Sequence, residues 1–172
     1  EPGMPEPGLL GDESALSGLR ELLPTLELTR TFRTGGHDLI AAINDRFYDG
    51  ALASLPWAGT YLGPPSITVQ SVDDAWGLPK PGAAEIESPD AEIDRVLTLV
   101  SQHARTRPNE SLMVVTGNEV HEARLQQALV QQLGQNPTLA EFVSNDSEEP
   151  FVIADLTHAI ALSRDRVIFS VG

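Results

Sequence analysis

Apolar residues recur along this chain at helical spacing in some segments and in continuous runs of strand length in others. The helical spacing predicts helices over 14–23, 38–47, 89–107, 118–133 and 137–142. The short apolar runs predict strands over 26–29, 67–72, 112–116, 151–154 and 166–171, with a short helical piece between the last two. Because strands that alternate with helices and lack polar alternation are typical of buried parallel sheets, we predict an α/β domain with helices on both faces. Ligands of such a sheet bind beyond the carboxyl ends of its strands.

Two of these helices begin with specific capping signals. Ser88 precedes Pro89 and Asp90, an order in which serine caps the helix, proline occupies the first turn and the acid faces the positive end of the helix dipole. Asn118 is placed to cap the helix that follows the apolar run 112–116. The acidic loop 73–88 is predicted to carry no regular structure.

Length and composition are those of one globular domain. The 172 residues are 41% hydrophobic and 21% charged, with no cysteine, which excludes disulfides and thiolate metal sites. No apolar run is long enough to cross a bilayer and no signal peptide is visible, so we expect a cytoplasmic protein without membrane contact. Residues 1–11 are predicted to be a flexible linker because proline and glycine dominate them. The folded domain is then 12–172, and we expect it to be a fragment, since an apolar strand ends one residue before Gly172.

The net charge argues against nucleic-acid binding by this chain alone. It carries 11 lysines and arginines against 25 acids, a formal charge of −14. Affinity for nucleic acid comes mainly from cations that neutralise phosphates, so we expect binding only as half of a cleft whose basic wall lies elsewhere. An acidic surface that serves only solubility explains the same charge.

Several kinds of site are missing from the sequence or carry only weak signals. There is no phosphate loop of the form G-x-x-x-x-G-K-[ST], no dinucleotide-binding glycine loop and no nucleophile elbow. The histidines at 37, 103, 121 and 158 show no metal-ligand spacing with each other, so we interpret them as surface histidines. The carboxylates within 85–94 are interpreted as acids at a helix start rather than as a two-metal or acid–base site.

The first segment that points to a function lies near the N-terminus. Residues 28–33, Leu-Thr-Arg-Thr-Phe-Arg, are followed by Asn44 and by 47–52, Phe-Tyr-Asp-Gly-Ala-Leu. This order resembles motif IV of superfamily 1 helicases. The resemblance implies that Phe32, in place of the family's tyrosine, stacks beside the base of ATP and that Arg33 reaches the γ-phosphate. A guanidinium so placed neutralises charge on the transferred phosphoryl group. The alternative is that Phe32 is a core residue and Arg33 a surface residue.

A second segment resembles the family's strand that ends in Thr-Pro-Tyr-x-x-Gln at the nucleic-acid groove. Thr116 matches that threonine, whereas Gly117, Asn118 and His121 replace the proline, tyrosine and glutamine. The resemblance implies that these four residues contact nucleic acid, and a hydroxyl with free N–H groups at a helix start suits a phosphate. Helix capping by Asn118 alone explains the same residues equally well.

A third segment, 151–172, resembles motif V, a strand followed by Gln-Gly-x-Glu-x-Asp-x-Val-Ile-x-Ser. The residues that fit are Asp165, Val167, Ile168 and Ser170. The glutamine, glycine and glutamate that couple ATP to nucleic acid in the family are replaced by Ile160, Ala161 and Ser163.

The three segments occur in the family's order over about 12–172. They imply the second RecA-like domain of a superfamily 1B helicase, an AAA-type ATPase of the branch of the nonsense-decay and Okazaki-processing helicases. Its fold would be a three-layer P-loop NTPase-type domain. ATP and Mg²⁺ would be held mainly by an N-terminal RecA-like lobe of the same protein, and single-stranded DNA or RNA would be the partner. Without a phosphate loop, the isolated chain would not hydrolyse ATP.

The alternative to a motor is a degenerate, inactive helicase-like domain that serves as a structural or protein-interaction module. The replaced motif V residues and the negative charge both favour that alternative. An independent α/β hydrolase is a weaker hypothesis, because no nucleophile with a partner base can be placed in the sequence.

Overall fold

A computed structural model describes residues 19, 22–24, 26–31, 37–54, 65–73 and 76–172. The chain divides into two compact units, Glu1–Val69 and Gln70–Gly172. The predicted linker 1–11 lies outside the described residues, as does most of the predicted helix 14–23. In the part of the chain that is described, no helix is both long and apolar enough to cross a membrane.

The first unit contains a small parallel β-α-β element. Strand β1 (Arg30–Thr31) pairs with β2 (Ala53–Ser54), and helix α1 (His37–Phe47) connects them. The predicted helix 38–47 is therefore confirmed. Asp38 in its first turn and Arg46 in its last turn match the polarity of the helix dipole.

Two predicted strands of this region are not strands. Residues 26–29 are irregular, and β1 occupies the next two positions. The described segment 65–73 is also irregular, although 67–72 has a strand-like composition. The N–H groups of Ser66 and Ile67 donate to the carboxylate of Asp38 at 2.7 and 3.2 Å, so a side chain binds this backbone where a neighbouring strand was expected.

The second unit contains a parallel sheet, three helices and a hairpin. Its elements are β3 (Gly77–Pro79), β4 (Ile86–Pro89), α2 (Asp90–Thr106), β5 (Leu112–Thr116), α3 (Glu119–Leu133), α4 (Pro137–Val143), β6 (Val152–Asp155) and β7 (Arg166–Ser170). Strands β6, β5 and β7 form the sheet in that order, all parallel. Where a short helical piece was predicted between β6 and β7, the chain makes turns over 156–161.

The predicted loop 73–88 contains an antiparallel hairpin. Strands β3 and β4 pair there, and Gly77 is required because it has φ +156° and a Cβ would overlap the carbonyl oxygen of Ser88. Ser88 is thus a strand residue and does not cap α2, as the sequence had predicted. The N-cap position is Pro89, which has no side-chain capping bond. The Ser88 hydroxyl is bound by His121.

Helices α2, α3 and α4 share one hydrophobic core with one face of the sheet. Val100, Leu125 and Leu139 from the helices and Val114 from β5 are completely buried. Burying each such side chain stabilises the fold by about 1.5–3 kcal/mol. The α/β class with a parallel sheet is therefore confirmed, whereas the three-layer RecA-like architecture stays a prediction.

Candidate functional site

The carboxyl ends of the three parallel strands bring polar side chains from distant parts of the sequence to one edge of the sheet. Thr116 at the end of β5 lies in register with Asp155 of β6 on one side and with Ser170 of β7 on the other. The sequence placed ligand binding at this edge, where the loops after parallel strands gather.

The loop after β5 is fixed by hydrogen bonds of its own residues. The Thr116 hydroxyl donates to the carbonyl oxygen of Asn118 at 3.0 Å, and the Asn118 amide oxygen accepts from the N–H of His121 at 2.7 Å. The predicted cap of α3 is therefore confirmed. Gly117 approaches Val171 so closely that a Cβ would lie 2.5 Å from its carbonyl oxygen. The Thr-Gly-Asn order is thus explained by packing at a helix start.

A buried hydrogen-bonded network surrounds His121. Its Nδ1 lies 2.6 Å from the Ser88 hydroxyl and its Nε2 lies 2.8 Å from the Ser170 hydroxyl. Ser170 lies 2.6 Å from Glu92 Oε1, which also accepts from the N–H of Gly172 at 3.2 Å. One proton order satisfies the network: Ser88 donates to Nδ1, the Nε2–H donates to Ser170, and Ser170 donates to Glu92. We call this set the histidine network.

Burial makes the histidine network a structural feature rather than a catalytic one. Burial lowers the pKa of His121, the Glu92 carboxylate raises it in part, and Arg124 lowers it further. The imidazole is consequently neutral at neutral pH. His121 and Ser88 are both fully buried, so no external substrate can reach this serine–histidine contact. This buried serine–histidine contact therefore gives no support to the hydrolase alternative.

A second group of side chains lies beside β6, and we call it the carboxylate–imidazole cluster. It consists of Glu122, Asp155 and His158, whose potential ligand atoms all lie within 4.8 Å of one another. Asp155 Oδ1 accepts from the backbone N–H of His158 at 2.8 Å, from Nδ1 of the same residue at 2.9 Å and from the Thr157 hydroxyl at 2.7 Å. Glu122 Oε2 accepts from the N–H of Asp155 at 3.0 Å.

Hydrogen bonds keep the central carboxylate of this cluster charged. The His158 N–H first and the Thr157 hydroxyl next lower the pKa of Asp155 below its usual range. The two carboxylates of the cluster are hydrogen-bonded by neutral donors, and among the described residues they form no salt bridge with a lysine or arginine.

The surface interpretation of the histidines is wrong for two of them. His121 is fully buried, and His103 is buried with Nε2 at 2.8 Å from the carbonyl oxygen of Glu110 and its ring edge-on to Phe142. His158 is exposed as predicted, at 72% of its side-chain surface, but it lies against two carboxylates. The spacing between histidines could not reveal the carboxylate–imidazole cluster, because its other two members are carboxylates, Glu122 on α3 and Asp155 on β6. The only local sequence signal is Asp155 three residues before His158.

The acids within 85–94 behave as predicted where the helix begins. Asp90 and Glu92 lie in the first turn of α2. Asp90 forms an ion pair with Arg124 at 2.5 Å, and Glu92 belongs to the histidine network. Both have protein partners, which is consistent with a structural role.

The predicted site residues fall into two groups. Phe32 and Arg33 directly follow β1 but lie outside the described residues. Thr116 and His121 are completely buried, whereas Gly117 is exposed and Asn118 half-buried. Nucleic-acid contact at this helix start stays a prediction, and in this conformation the buried side chains of Thr116 and His121 cannot take part in it.

The sheet edge thus presents a closed histidine network and, next to it, an accessible carboxylate–imidazole cluster. The first can only hold elements together, and the second can bind a cation. Comparisons of this chain with protein-family models, with curated proteins and with solved structures found no match.

Proposed function

We propose that this chain is the second RecA-like lobe of a superfamily 1 helicase-type ATPase, which closes on ATP held by another lobe. Phe32 would stack beside the base and Arg33 would bind the γ-phosphate. The sequence contains no phosphate loop, so ATP and Mg²⁺ would be held by the other lobe. The chain's own part would be to make closure of the cleft depend on that phosphate.

The observation that carries this proposal is the turn from α1 into β2. The Asn44 side chain donates to the carbonyl oxygen of Leu52 at 2.8 Å and accepts from its N–H at 2.9 Å. Gly50 between them has φ +77°, where glycine is favoured. Asn44, Gly50 and Leu52 are three of the residues that carry the likeness to motif IV. In this chain the three residues form one turn of the β-α-β element: Asn44 binds the backbone of Leu52, and Gly50 lies in the turn between them. This common role supports the proposed roles of Phe32 and Arg33 just after β1.

The segment that resembles motif V gives further support. Ala161, at the position of the family's glycine, has φ +68°, a left-handed conformation that glycine adopts more easily. Asp165, which matches the family's aspartate, accepts from the N–H of Ser111 at 2.8 Å and so connects the start of β7 to the start of β5. The backbone here suits the motif even where its side chains differ.

Nucleic acid would meet the chain at the start of α3. Thr116 and His121 would act from inside by fixing the loop, and the exposed residues Gly117, Glu119 and Val120, with the half-buried Asn118 among them, would face the nucleic acid. Glu119 and Glu122 in the first turn of α3 oppose a phosphate at this point. The cationic part of the groove would therefore have to belong to another domain.

Arginine substitution in the full-length ATPase tests the proposal. Replacing Arg33 by alanine should lower kcat for ATP hydrolysis by about 10³-fold or more, because an arginine finger acts on the transition state. Arg46→Ala is the matched control, since Arg46 is a cation at the exposed end of α1, and kcat should stay unchanged. Full activity of the Arg33→Ala protein would show that the assigned role is wrong.

A second candidate function is a degenerate helicase-like module that binds protein. It is favoured by exposed apolar side chains after β6, among them Ile160, 75% exposed at the position of the family's glutamine. For this candidate the full-length wild type would show no ATPase activity that single-stranded DNA or RNA stimulates. Stimulated activity that depends on Arg33 excludes it.

A further inference from the structure

We infer that Glu122, Asp155 and His158 form a binding site for a divalent transition-metal ion of the zinc type. The inference concerns the carboxylate–imidazole cluster alone, and it does not depend on the proposed nucleotide function.

The donor set suits zinc. Two carboxylate oxygens and one imidazole nitrogen are typical protein ligands of Zn²⁺, and three protein ligands with a water in the fourth position are characteristic of open zinc sites. Imidazole favours zinc and its neighbours over Mg²⁺, which prefers oxygen ligands alone. The two carboxylates, without a lysine or arginine in ion-pair contact in the described chain, supply the charge that a dication neutralises.

The geometry needs only a small adjustment. Ligands on one zinc ion lie at most about 4.2 Å apart, because each bond is about 2.1 Å long. The potential ligand atoms are already within 4.8 Å. His158 can close that gap, since its side chain is 72% exposed and is held by a hydrogen bond of Nδ1 to Asp155. Metal binding would replace the 2.9 Å contact between Nδ1 and Asp155 Oδ1.

The two carboxylates are held by other groups while keeping free oxygen lone pairs. All the hydrogen bonds that the Asp155 carboxylate accepts from described residues end on Oδ1, which leaves Oδ2 for an ion. Gln126 donates to Glu122 Oε1 at 2.7 Å and orients it, while each Glu122 oxygen retains a second lone pair. Such outer partners fix ligand orientation in metal sites. The side chain of Asp155 is itself almost fully buried, at 8% exposure.

Zinc titration of the untagged, chelator-treated full chain tests this inference. Isothermal titration calorimetry should detect one saturable Zn²⁺ site, and His158→Ala should weaken it by about 100-fold, since even outer-shell changes cost about 10- to 100-fold. Glu122→Gln should weaken it similarly. Because His158 is exposed, its replacement leaves the fold intact, which circular dichroism can verify.

A matched control separates a built site from general attraction of a cation to an acidic protein. Glu119→Gln removes one exposed acid from the same helical turn as Glu122 and should leave zinc affinity unchanged. Excess Mg²⁺ should not displace the zinc. Absence of a saturable site, or equal weakening by Glu119→Gln and Glu122→Gln, would overturn the inference. These outcomes involve no nucleotide and leave the proposed function untouched.

Discussion

Gly117 is placed by a neighbour that lies far away in the sequence. The loop after β5 passes the carbonyl oxygen of Val171 closely, and the N–H of Gly117 donates to the carbonyl oxygen of Ser170 at 3.0 Å. In the sequence, Gly117 stands where the helicase family has a proline, and the sequence does not explain why a glycine is needed there. The close approach of β7 supplies that reason.

A pair of glycine substitutions tests the close approach. Gly117→Ala should lower the free energy of unfolding by about 1–3 kcal/mol, because its Cβ would overlap backbone that cannot move easily. Gly134→Ala is the control: this glycine has helical φ −64° and ψ −19° and no heavy atom near a Cβ, so the change should be neutral or slightly stabilising. Urea denaturation measures both. Equal stability of the two variants would contradict the packing argument.

At the scale of elements, helix starts show how far local sequence signals can be trusted. Asn118 caps α3 as predicted, since its side chain accepts from the N–H of His121 in the first turn of the same helix. Ser88 has an equally good capping signal before α2, yet its hydroxyl binds His121, 33 residues away in the sequence. The capping rule assumes that the side chain has no stronger competitor. Only the packing of α3 against β4, which places His121 beside the Ser88 hydroxyl, showed that Ser88 has one.

Two substitutions of Asn118 measure the cap. Asn118→Ala should destabilise the fold by about 1 kcal/mol because the N–H of His121 loses its acceptor. Asn118→Asp keeps an acceptor at the same place and should retain most of the stability, since a negative charge at a helix start is favourable. Thermal or urea denaturation provides the comparison. If the aspartate variant were as unstable as the alanine variant, the loss of stability would not come from the lost capping hydrogen bond.

At the scale of the whole molecule, the histidine network joins four elements of the second unit. Ser88 belongs to β4, Glu92 to α2, His121 to α3 and Ser170 to β7. A proton added to His121 would place a charge at the centre of this junction. The stability of the unit is therefore linked to the protonation of one side chain.

The linkage predicts a loss of stability in mild acid. The pKa of His121 is lowered in the folded state, so the unfolded chain takes up the proton first as the pH falls. The stability that neutral His121 contributes is fully present above the ordinary histidine pKa. It is lost as the pH falls from that value towards the lower folded-state pKa, at up to about 1.4 kcal/mol per pH unit. Between about pH 8 and pH 6, the free energy of unfolding should fall more for the wild type than for His121→Gln. Carboxylates titrate at lower pH, so the difference between the two proteins in this range reports His121. Urea denaturation across this range checks the slope, and parallel curves would contradict it.

The sequence alone determined the features that depend on local chemistry. The apolar runs of β5, β6 and β7 indicated a parallel sheet, and the spacing of apolar residues located α1, α3 and α4, because burial selects residues one turn or one strand position at a time. The resemblance to the helicase motifs also came from residues near each other in the chain. Tertiary structure decided what depends on distant partners: Ser88 with His121, Gly117 with Val171, and Glu122 with Asp155. Such partners meet only when distant elements pack together, and a one-dimensional pattern does not show which strands become neighbours or which helix packs beside them.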